Sequence, residues 1–192
     1  MSTPPTEFYS AERWQNWIDR LSDEEIDPED ESSARLLLNL QDDTAIAIAK
    51  IVSAYEEGEL DEEDALEEIG TVREIVLSEV DIEDEETLLL IDGVQTSLVC
   101  VFFAAEEYVV DGAATDGTVG EYVRAAADAE AEENLDAALA FAAEAGTLVF
   151  AGEEIDVAMA EEIEYGLVTE WINGLDSLQN AMSDPEVVEE DE

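Results

Sequence analysis

Four carboxylates, Glu130, Glu133, Glu153 and Asp156, stand where two successive helices could carry them. Acids at a three-residue step share one helix face, and oxygen-only side chains can hold magnesium or manganese beside a substrate phosphate. Little other chemistry is open to this chain. Histidine is absent and cysteine occurs once, at Cys100. That removes imidazole bases, serine–histidine and cysteine–histidine nucleophile pairs, the Glu-x-x-His sets of di-iron bundles, and zinc. The glycines between Asp111 and Gly120 come with no lysine and follow no strand, so they lack the parts of a phosphate-binding loop.

The same four acids have a plainer reading as solvated surface. With 54 Asp and Glu among 192 residues, such spacings recur along the whole chain. No basic or aromatic set that could grip a nucleotide accompanies them, and Arg124 is the nearest cation. The pattern resembles the paired-helix carboxylates of all-α nucleotide pyrophosphohydrolases. That resemblance implies, as the alternative function, a magnesium- or manganese-dependent phosphohydrolase using this acidic cluster. The surface reading is the one expected here, and it assigns no residue to catalysis, to a cofactor or to a metal.

The acids face only 6 Lys and Arg, for a formal charge of -48. Such a coat repels itself, and salt relieves it: the screening length falls from about 10 Å at 0.1 M to about 3 Å at 1 M. Lys50 is the only lysine beside Arg13, Arg20, Arg35, Arg73 and Arg124. Abundant acid with almost no lysine points to a halophilic protein in a salt-filled cytoplasm. Scattered cations cannot form the clustered basic surface that nucleic-acid phosphates require, so no nucleic-acid partner is expected. Cys100 lies in the apolar run Leu98 to Ala105 and should be a buried, inert thiol, in keeping with a reducing cytosol. Met1 to Glu7 lacks the basic flank and apolar stretch of a signal peptide. The most membrane-like window, Thr87 to Ala105, is interrupted by Asp92, Gly93 and Gln95. Asp in mid-bilayer costs roughly 2.5–3.5 kcal/mol, so a core helix is expected and no membrane partner.

Hydrophobic periodicity predicts the elements that would position any site. Ser10 caps a short helix with Trp14, Trp17, Ile18 and Leu21 on one stripe. These tryptophans read as core, with a partner-binding anchor as the other possibility. An acidic connection holding Pro28 follows. Ser32 or Ser33 then caps a helix running to about Glu57, stopped by Gly58, and Asp61 opens the next; together they form a hairpin over Ala45 to Val80. The most apolar helix, about Glu85 to Val110, is hydrophobic nearly all round and belongs in the centre. Alanine dominates from Glu121 to Ala160, which predicts close-packed helices over Val119 to Glu132 and Leu135 to Phe150, with a short strand at Thr147 to Phe150 as an alternative. A last helix, about Glu154 to Met182, carries a heptad-like seam at Val168, Trp171, Leu175, Leu178 and Met182 that wants a helical partner. The expected fold is all-α: a single bundle of about six helices over residues 1–183, in which 1–31 form the docked N-terminal helix and acidic connection. Residues 184–192 are expected to be a disordered acidic tail.

The segments FYSAERWQNWIDRL (Phe8 to Leu21) and AIAIAKIVSAYEEGELDEEDALEEI (Ala45 to Ile69) resemble an archaeal family of small, acidic helical proteins of unknown function. The resemblance implies an archaeal, here haloarchaeal, protein and carries over no site residues. With most catalytic chemistry excluded, the expected role is a non-enzymatic interaction or regulatory module. A helix face such as the Val168 to Met182 seam would serve a homodimer or a protein partner.

Overall fold

The computed structural model describes residues 9–23, 27, 29–156 and 158–183, and all the regular structure among them is helical. The helices are α1 (Ala11–Asp23), α2 (Glu31–Glu56), α3 (Glu62–Val76), α4 (Glu85–Asp111), α5 (Val119–Ala131), α6 (Leu135–Phe150), α7 (Ala158–Glu162) and α8 (Leu167–Ser183). Most begin at a side chain that satisfies an orphan amide of the first turn. Ser10 Oγ accepts from Arg13 N at 3.1 Å. Asp61 caps α3, Asp84 caps α4 and Asn134 caps α6. Thr118 and Glu121 form a reciprocal capping box on α5. The cap of α2 is Asp30, not Ser32 or Ser33. Ser33 instead turns its hydroxyl to the Asp27 amide at 3.1 Å. Gly58 ends α2 in the left-handed region at φ 81°, as a stop at that glycine requires.

The central helix is α4, which packs against α2, α3, α6 and α8, while α5 lies on α6 and α8. One apolar cluster runs through α1 to α6 and α8. Two glycines set how closely the layers approach. A Cβ on Gly174 of α8 would strike the Ser97 carbonyl of α4, and one on Gly146 of α6 would strike Ala104 and come within 2.9 Å of the Leu175 side chain. Ser97 and Ala104 are seven residues apart, so the small face of α4 is what lets α6 and α8 close on it. Cys100 is fully buried in this core, where desolvation pushes its thiol pKa up.

The described residues form eight helices rather than the expected six or so, and two further expectations need correction. Thr147 to Phe150 is the last turn of α6, not a strand. The single helix expected over Glu154 to Met182 is broken: residues 154–156 are non-helical, α7 is one short turn, and α8 starts afresh at Leu167. Gly166 marks the break, and a contact from α5 supplies the new helix start. The predicted tail at 184–192 lies outside the described residues.

Candidate functional site

The four acids singled out by spacing are not gathered into a site. Glu130 Oε2 accepts the Leu167 amide at 2.7 Å, so this carboxylate sits at the positive end of α8. A Cβ on Gly166 would come within 2.7 Å of Glu130 Oε1, so a larger residue there would shift this carboxylate. Glu133 is exposed in the α5–α6 turn with φ 63°. Glu153 is exposed beyond the far end of α6; Asp156 is exposed too, and its Oδ1 accepts the Ala158 amide at 2.9 Å. The 16 residues of α6 separate Glu133 from Glu153 by about 24 Å at 1.5 Å per residue. Among the described residues, no three or more acids come together as a metal ion would need.

Other polar groups do converge. Asp43, buried on α2, accepts the Arg13 guanidinium and the Trp17 indole N–H, the latter at 2.9 Å. With Trp14, Ile18 and Leu21 buried, this fixes α1 on the body of the protein. Trp14 is therefore core, and Trp17 is a half-buried anchor. On α4, Arg73 of α3 reaches Glu106, and Tyr108 donates to Glu56 of α2 at 2.7 Å. Burial, helped by that carboxylate, pushes the Tyr108 hydroxyl up to about 12. Glu107 has its carboxyl raised by desolvation first, then by the charges of Glu144 and Asp111.

A buried polar ladder crosses the junction of α4, α2 and α8. Ser97 Oγ donates to Gln41 Oε1 at 2.7 Å, and Gln41 Nε2 donates to Ser177 Oγ at 2.8 Å and to the Asn173 carbonyl at 3.1 Å. The Ser177 hydroxyl also lies near enough to the Asp42 carboxylate to favour its charged form. Asp42 Oδ1 is buried and meets no partner among the described residues.

The seam proposed for an outside partner is spent inside. Val168, Trp171, Leu175 and Leu178 are all buried, against α4 and its neighbours, and Met182 at the end of the seam is half-buried. The uncovered apolar face belongs to α4 instead. Leu89, Phe103 and Val110 are 70%, 40% and 51% exposed, and Thr96 and Val99 beside them are half-buried. Leu89, Thr96, Phe103 and Val110 fall at a strict seven-residue step. That step was present in the sequence, but a helix apolar nearly all round hides which of its stripes stays outside.

α4 is also the one helix among the described residues that is long and apolar enough to cross a membrane, with half of its apolar window buried in the bundle. Residues 7–191 match a family model described as an uncharacterized protein conserved in archaea (DUF2150). No curated protein and no solved structure matches the chain.

Proposed function

We propose that this chain, which belongs to the family of uncharacterized proteins conserved in archaea just described, is a non-enzymatic interaction module that associates with a second copy of itself through the outer face of α4. The observation that carries the reading is the stripe of exposed Leu89, Phe103 and Val110 with half-buried Thr96 between them, on the helix whose other faces supply much of the core. A seven-residue apolar repeat is the pattern that pairs one helix with another, and a two-fold arrangement lets one stripe serve both partners. The face spans about 32 Å, at 1.5 Å for each of 21 steps, and is about 10 Å wide, so each copy contributes roughly 320 Å². Two such faces fall short of the ~1,200 Å² usual for stable complexes. The association is therefore weak and reversible.

The acid coat sets the conditions. Asp92 and Glu107 are exposed beside the stripe, so two copies repel each other until salt shortens the reach of those charges. This supports a working environment of concentrated salt inside the cell. No basic surface recommends a nucleic-acid partner, and the dispersed acids give no support to phosphohydrolysis.

A dilution series followed by amide NMR in molar potassium chloride tests the pairing. Resonances of Leu89, Thr96, Phe103 and Val110 should shift with protein concentration, and F103E should abolish those shifts while leaving the helical circular dichroism unchanged. Shifts spread evenly over the surface, or none at millimolar protein, would reject the face.

A further inference from the structure

We propose that the α2–α8 junction is a proton-operated clamp: Asp42 takes up a proton as the solution acidifies, and α8 is then held more firmly against α2. Asp42 lies at the end of the ladder from Ser97 through Gln41 to Ser177, which ties α4, α2 and α8 together. Its Oδ1 is buried with no partner among the described residues, and the nearby Ser177 hydroxyl offsets that burial only in part. A buried, unsatisfied carboxylate oxygen is costly as an anion and far less so as a neutral acid. Asp176 of α8 adds a second negative charge at the same place. The groups that α4 and α2 bring to the junction, Ser97 and Gln41, are neutral, and Asp43 is occupied by Arg13 and Trp17.

The carboxyls of Asp42 and Asp176 are both raised above the ordinary range, by desolvation first in each case. The sign follows from linkage. A carboxyl that binds its proton more tightly folded than unfolded adds stability as the pH falls from neutral through its raised value. The gain is complete below the ordinary Asp value of about 3.9. This junction therefore strengthens in mild acid, the reverse of what paired carboxylates do. The ladder transmits the change, because Ser177 and Asp176 are adjacent on α8 and Gly174, one turn earlier, is pressed on the Ser97 backbone of α4.

Two measurements on the full chain in molar potassium chloride test the clamp. Carboxyl-carbon NMR should show Asp42 titrating above the ordinary Asp range, with its midpoint falling in D176N. D42N, which keeps the shape and removes the charge, should melt about 2–4 °C higher at neutral pH, and its advantage should disappear below the ordinary Asp value. Amide protection along α8, corrected for intrinsic exchange, should rise from neutral pH to mild acid in the native chain and stay flat in D42N. An ordinary midpoint for Asp42, a lower neutral melting temperature for D42N, or α8 protection with the same pH dependence in both proteins would overturn the proposal.

Discussion

At the scale of single residues, the carboxylates of this chain do different work according to where the helices leave them. Glu130 resembles a metal ligand by spacing, yet it serves as the start signal of α8 by accepting the Leu167 amide. An anion at a helix N-terminus acts both as a hydrogen-bond acceptor and as a charge matched to the dipole. Replacing it by alanine should cost roughly 1 kcal/mol and shift the thermal midpoint down by about 2–4 °C. Manganese or magnesium at millimolar concentration should move the melting temperatures of native and E130A protein equally. A divalent-specific rise that E130A removes would restore the metal reading. Asp43 shows the contrasting case, a buried carboxylate supplied with an arginine and an indole N–H. Asp42, its neighbour in sequence, is left with an unsatisfied oxygen.

At the scale of elements, legibility followed the origin of each signal. The extent of α6, Leu135 to Phe150, could be read from its run of alanines, although β-branched Thr147 and Val149 left a strand open for its last turn. The break before α8 could not, because periodicity runs on through Ile163 and Leu167 and the new start is made by a residue 37 positions away. The four-acid constellation failed for a related reason. Spacing along two helices does not reveal that an antiparallel hairpin puts the pairs at opposite ends of α6. The central place of α4 was plain from its composition, whereas its uncovered stripe became visible only once α2, α3, α6 and α8 had taken their faces. The docking of α1 makes a separable claim. D43A removes the acceptor shared by Arg13 and Trp17 and should cost about 1–3 kcal/mol, discounted because Arg13 is itself partly exposed. Tryptophan emission should shift to the red as α1 loosens, while the far-ultraviolet dichroism of the other helices persists. Unchanged emission would place the anchoring of α1 in its apolar residues alone.

At the scale of the whole molecule, an apolar helical interior is combined with a formal charge of -48. Folding and association then meet the same obstacle, the mutual repulsion of carboxylates, and the same remedy, screening by salt. In the proposed pairing, the face of α4 is too small to hold two copies together against that repulsion in dilute buffer. On the proposed reading, the same face pairs two copies reversibly once ions shorten the reach of the charges. Sedimentation equilibrium of the full chain across a potassium chloride series, at concentrations where the helical dichroism is constant, tests this most directly. The mass should climb from that of one chain toward that of two as salt increases, and F103E should hold it at one throughout. A mass that stays at one chain in molar salt, or a pairing that F103E leaves intact, would contradict the account.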